Sequence, residues 1–166
     1  DELCVTNVVS WNALISGFAQ QGRGHEAVDC FQKMLFKGLF PNSVTFLSVL
    51  NACSHAGKLD EAQKCYENMS RKHYMIPTLE HHTCMVDLFS RAGHFDKAID
   101  VIEKVPGSNQ LRLWLSLLGA CCKWANVEFG LWLFERSSEL DKNCAAAYLC
   151  MANLYAAAGL QLESKE

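Results

Sequence analysis

The chain has 166 residues, half of them hydrophobic, with nine cysteines and a net charge of −3. That apolar content is ample for a continuous buried spine, while the slightly acidic balance argues against a strong nonspecific nucleic-acid binder, which should be basic. No apolar run approaches the roughly 18 residues a bilayer span needs, so no membrane partner is expected, and any targeting segment is expected upstream of Asp1.

Taken in chain order, the sequence repeats itself. Gly22, Gly57, Gly93, Ala125 and Gly159 are separated by 35, 36, 32 and 34 residues. Four residues before each anchor stand Phe18, Cys53, Phe89, Cys121 and Tyr155, and eight before stand Leu14, Val49, Met85, Leu117 and Met151. Five after come Ala27, Ala62, Ala98 and Gly130. A period in the thirties marks a solenoid of supersecondary units.

In the first unit, Trp11, Leu14, Ile15 and Phe18 line one face, and Ala27, Cys30, Phe31 and Met34 line a second. These are helical spacings, not the alternation of a strand. Gly22 suits a left-handed turn between the two helices, and Gly38 with Pro41 ends the second. The small residue at Ala27 lets the helices approach closely. Later pairs are predicted at 44–56 and 59–72, 80–92 and 95–104, then 112–124 and 127–140; a last helix begins near Ala145. A two-helix unit cannot bury both faces alone, so neighbours must stack. The predicted fold is all-α, an α-solenoid of stacked antiparallel helix-turn-helix repeats, about four complete units with a piece of another at each end. A chain opening on Asp1 and stopping at Glu166 inside a helical pattern is expected to be a segment of a longer protein.

Residues 8–42 carry three basic and two acidic side chains, residues 43–78 four and three, and residues 79–110 three and five. What attraction exists for phosphate lies in the N-terminal half. The cysteines are odd in number and form no C-x-x-C pair; Cys53 and Cys121 occupy an apolar site that Phe18, Phe89 and Tyr155 fill elsewhere. They read as reduced core thiols, which implies a reducing compartment.

The first complete unit, VVSWNALISGFAQQGRGHEAVDCFQKMLFKGLFPN from Val8 to Asn42, resembles the pentatricopeptide repeat, with its V-T-Y-N-x-L-I opening and G-x-x-P-D close. Tetratricopeptide repeats place their tryptophan, glycine and proline at other offsets. Residues 43–78 resemble the long variant through V-T-F-x-x-V-L-x-A-C-S-H-A-G, and residues 79–110 resemble the short variant of the plant PLS subfamily. Residues 111–143 resemble the first E-type tail motif; residues 144–166, with AAYLCMANLYAAAG, resemble the start of the second. Residues 1–7 would end a preceding repeat.

The resemblance implies a right-handed superhelix and sequence-specific binding of single-stranded organellar RNA, most concretely site recognition for C-to-U editing. Implied partners are organellar editing-factor proteins and a deaminase domain in cis or trans; the implied address is mitochondrion or chloroplast. In that family the fifth residue of each motif and its last residue read one base. The positions are Asn12 with Asn42, Thr83 with Gln110, and Asn7 for the preceding repeat; Val9 and Val44 would pack against base planes. A neutral amide suits base reading because it both donates and accepts without desolvating a charge. The bland alternative makes Asn12 a polar residue on a solvated face and Asn42 a turn residue. By the family's pattern this pair favours a pyrimidine, and Thr83 suits a purine. Leu47, paired with Thr78, and Leu115 and Leu149 cannot read a base, which points the tail toward protein contact.

No catalysis is expected. The H-x-E and P-C-x-x-C motifs that hold zinc in deaminases are absent from this sequence, and no cofactor or metal is predicted. His81 and His82 are adjacent on a helix and point apart. Cys121 and Cys122 read as one buried thiol and one on the helix flank. Trp114 takes a core position equivalent to Trp11, whereas Trp124 and Trp132 read as a partner surface. Two rival functions stay open: a protein-binding scaffold without RNA contact, and RNA binding in splicing or stability.

Overall fold

The computed structural model describes residues 7–159, and among them there are nine α-helices and no strand. They are α1 (Val8–Gln20), α2 (Gly24–Phe36), α3 (Ser43–Ala56), α4 (Leu59–Arg71), α5 (Leu79–Arg91), α6 (Phe95–Glu103), α7 (Gly107–Trp124), α8 (Val127–Leu140) and α9 (Ala145–Ala157). Contacts divide the chain into two compact units, Asp1–Leu88 and Phe89–Glu166, with the division inside α5.

In the first unit α1 packs on α2 and α3, α2 on α3, and α3 on α4. The apolar stripe of each helix fills the space between: Trp11, Ile15, Phe31, Met34, Phe46, Val49, Leu50 and Met69 are buried. Side chains as large as Ile15 and Phe46, fully enclosed, each contribute about 1.5–3 kcal/mol. In the second unit α7 packs on α6, α8 and α9, and α8 on α9. Leu113, Trp114, Leu117, Leu118, Leu133 and Leu154 make its core.

The recurrent glycine has a geometric reason. Gly57 caps α3 at φ 66° and ψ 24°, a left-handed conformation costly for other residues. There the chain reverses so that Lys58 N–H donates to Cys53 O at 2.9 Å; the same bond joins Arg23 to Phe18 and His94 to Phe89, also at 2.9 Å. Ala125 closes α7 in the same conformation, at φ 48°, without glycine's freedom. The small residue after each turn is equally required. Ala27, Ala62 and Ala98 are fully buried, and a Cβ on Gly130 would collide with the Leu154 side chain.

One boundary departs from the predicted pattern. α7 begins at Gly107, five residues before the predicted start at 112 and four before Leu111, its first apolar residue. Pro106 supplies the extended entry (φ −55°, ψ 140°), and its carbonyl accepts from Asn109 N–H at 2.9 Å. Ser108, Asn109 and Gln110 carry no apolar periodicity, so this extra turn leaves no trace in the pattern.

Candidate nucleic-acid interface

The predicted site residues lie on the first helix of a repeat or at its N-cap. Val9 on α1 is 75% exposed and Val44 on α3 is 55% exposed, two apolar side chains held in water at the same register of successive repeats. Three residues beyond Val9, Asn12 is only 8% exposed. It is therefore not a side chain on a solvated face. Its cover is polar: Asn12 Nδ2 donates to Asn42 Oδ1 at 3.1 Å, and Thr45 Oγ1 donates to Asn12 Oδ1 at 2.6 Å.

Asn42 has a second task beyond this contact. It is the N-cap of α3, in extended conformation, with Thr45 N–H donating to its Oδ1 at 3.0 Å. Asn42 N–H donates back to Thr45 Oγ1 at 3.0 Å, completing a capping box. Asn7 does the same service for α1, accepting from Ser10 N–H at 2.9 Å. Asn12 and Asn42 are thus brought together by hydrogen bonding, at the mouth of α1 and α3.

The other predicted readers are placed differently. Thr83 is half-buried and donates to Leu79 O at 2.8 Å, one turn back on α5. Gln110, expected in a loop, lies in the first turn of α7, where its Nε2 donates to Val105 O at 2.9 Å. The early start of α7 is the cause. Leu47 and Leu115 are half-buried; Leu149 is 63% exposed.

His81, next to α5's start, is fully buried and structural. Its Nε2 donates to Ser43 O at 3.0 Å, which leaves Nδ1 to accept from Thr78 N–H at 3.2 Å. Burial pushes its pKa below 6.5, outweighing the Ser43 carbonyl and Glu80, which both favour the charged form. His82 instead pairs with Tyr66, whose Oη lies 2.7 Å from His82 Nδ1. Among the described residues no cluster of three or more metal-ligating side chains occurs, and no helix is long and apolar enough to cross a membrane.

A polar position that recurs at the end of the first helices was not picked out by sequence reasoning. Eight positions after the fifth residues Asn12, Leu47, Thr83 and Leu115 stand Gln20, His55, Arg91 and Lys123, all exposed, whereas Ala157 stands eight after Leu149. In the first unit Gln20 and His55 line a cleft of ≈ 230 Å³ with Ser16, Ala19 and Asn51. The fixed offset of eight was the available signal, and it becomes meaningful only once the helix ends are known.

In the second unit the aromatics form a connected group. Trp124 is 46% exposed and Trp132 37%. Trp124 lies over Gly93, where a Cβ would sit 3.3 Å from the ring, and Trp124 Nε1 donates to Ser90 O at 3.0 Å. Phe129 stacks on Trp132 (5.7 Å, 11°), which meets Trp114 edge-on at 5.8 Å. Trp124 is therefore half structural, a tether from the end of α7 back to α5. Burial raises the Cys53 thiol to about 11 and the Cys121 thiol to about 12, which keeps both protonated near neutral pH. Cys121 is buried and Cys122 half-buried.

Comparison with known proteins agrees with the helical-repeat fold. Residues 6–55 match the PPR repeat family, and residues 44–74, 80–109 and 112–140 match the PPR repeat. A chloroplastic pentatricopeptide repeat-containing protein of Arabidopsis thaliana is 39% identical over 160 residues, which covers 96% of this chain and 19% of that protein. A mitochondrial one from the same plant is 38% identical over 154 residues, 93% of this chain and 28% of its own length. The chain thus spans under a third of these curated relatives. The crystal structure of the pentatricopeptide repeat protein PPR10 from maize superposes with a TM-score of 0.57 at 18% identity, covering 92% of this chain and 27% of that one. The chain belongs to the pentatricopeptide repeat family.

Proposed function

We propose that this chain is a non-catalytic RNA-recognition segment, in which Asn12 and Asn42 read one base of a single strand. The observation that carries the reading is the hydrogen-bonded Asn12–Asn42 pair beside the exposed Val9 and Val44. Two amides at one mouth can address a base edge, and a valine on each side can pack against its faces, the pattern by which single-stranded RNA is read. In the first unit Gln20 and His55, which line one cleft, are suited to a phosphate that positions such a strand. Thr83, Gln110 and Asn7 are secondary readers in this account.

The order of long, short and tail motifs supports membership of the PLS subfamily with E-type tail motifs, hence recognition of sites for C-to-U editing in a mitochondrion or chloroplast. The tail, residues 111–166, would then contact protein, recruiting editing factors and a deaminase. Leu115 and Leu149 at the reading positions, and the exposed faces of Trp132 and Tyr148, favour that division. The same features support a second reading, a protein-binding scaffold throughout.

The test is RNA binding by the longest polypeptide that carries this segment, on pools randomised at one nucleotide. Asn12→Thr should move the preference at one position from pyrimidine toward purine. Binding unchanged in strength and preference would sink the reading and leave the scaffold.

A further inference from the structure

The amide orientation at this site follows from donors that cannot be reversed. The backbone N–H of Thr45 can only donate, so the Asn42 atom 3.0 Å from it is the carbonyl oxygen. The Asn12 atom 3.1 Å from that oxygen must then be the amide nitrogen. Asn12 Oδ1 accordingly faces Thr45 Oγ1 at 2.6 Å. Thr45 Oγ1 already accepts from Asn42 N–H at 3.0 Å, and its single proton goes to the shorter of its two oxygen contacts, Asn12 rather than Asn42 at 3.0 Å. Reversing Asn12 would set its oxygen against the oxygen of Asn42.

Both carbonyl oxygens are therefore turned inward, around one hydroxyl and one backbone amide of the next repeat. The donors these bonds leave unused are on the two NH₂ groups: both protons of Asn42 and the second proton of Asn12. We propose that Thr45 is a specificity-determining residue of this site, locking Asn12 and Asn42 in the orientation that offers donors, so that the pocket takes a base edge made of acceptors. Thr45 is itself fully buried and touches no solvent, so it acts as a positioning residue. The inference rests on the RNA-reading proposal above and deepens it: the reader of one base is completed by the following repeat, 33 residues away.

The experiment compares wild type, Thr45→Ser, Thr45→Val and Asn12→Thr on the same single-position RNA pools. Valine keeps the shape and the backbone donor that orients Asn42, but removes the hydroxyl proton that Asn12 Oδ1 accepts, so Asn12 is held by Asn42 alone and by one hydrogen bond fewer. Discrimination at that one position should fall about fivefold, the effect of one hydrogen bond, while preferences elsewhere hold; serine should restore it. Where Asn12→Thr alters preference and Thr45→Val does not, the inference fails and the reading stands. Where neither alters it, the reading fails and takes the inference with it. Should Thr45→Val not fold, side-chain amide NMR of the wild-type protein decides: one Asn12 NH₂ proton protected from exchange supports the lock, and two equally exchanging protons overturn it.

Discussion

Replacing Asn42 with alanine should destabilise the first unit by about 2 kcal/mol, for two separable reasons. The first is the cap: Asn42 Oδ1 takes the Thr45 N–H at 3.0 Å, and losing an asparagine N-cap costs about 1 kcal/mol. The second is the partner left behind. Asn12 is 8% exposed and donates to Asn42, so truncation strands a nearly buried amide proton at a further cost of about 1 kcal/mol. Aspartate at the same position should behave in the opposite way. It keeps both acceptors and places a negative charge at the start of α3, favourable by about 0.3–1 kcal/mol. Yet it replaces the NH₂ with oxygen, so base preference should change while stability holds or rises by that amount.

Repeat arrays do not unfold as one cooperative unit, and a global melting curve would blur this effect. Amide hydrogen exchange at Thr45 and Phe46, in the first turn of α3, is the direct assay. In Asn42→Ala the Thr45 amide should exchange about 30-fold faster, the equivalent of 2 kcal/mol. Protection as in wild type would show that the capping box does not hold this turn. Asn42→Asp exchanging as fast as alanine would refute the reasoning about acceptors.

Two further outcomes follow from groups outside the reading pair. His81 is buried with its pKa held below 6.5, so as pH falls the unfolded chain binds a proton before the folded one does. Stability should therefore be fully present above about pH 7 and decline on acidification toward the lower folded value, flattening below it; His81→Gln should abolish that slope in urea titrations, and an unchanged slope would assign it to another group. Ala125→Gly should stabilise the second unit by roughly 0.5–1 kcal/mol, the left-handed penalty at φ 48° less the chain entropy glycine adds. Amide exchange in the last turn of α7 should slow accordingly, and faster exchange there would refute it.

Much of this architecture is legible because each of its devices is local. Helical spacing of Trp11, Ile15, Phe31 and Met34 marks the two faces of a hairpin, and a left-handed residue closing the first helix of each recurs in register. What stays hidden depends on contacts between repeats or on polar backbone chemistry. Nothing near Asn12 announces that it is buried, because its cover is Thr45, 33 residues on. Trp124 looks unexplained until Ser90 O is found beneath its indole nitrogen. The first turn of α7 is polar throughout and betrays no helix.

That last feature bears on where base reading ends. Asn7 and Asn42 each sit one residue before a first helix and cap it with the side chain. At that point the backbone demands an acceptor, and an amide satisfies the demand while keeping its NH₂ for a ligand. Thr78, before α5, has its hydroxyl beside Glu80 and His81. Before α7 the cap is Pro106, with no side-chain hydrogen bond at all, and Gln110 has been drawn inside the helix. On the RNA-reading proposal, the missing capping amide before α7 weakens the reader that Thr83 opens, and leucine at 115 removes the first half of the next one. Repeat boundaries defined by sequence cut each reader in two; the physical unit runs from the first helix of one repeat to the first turn of the next. Engineering of base preference in this chain should therefore exchange Asn12, Asn42 and Thr45 together.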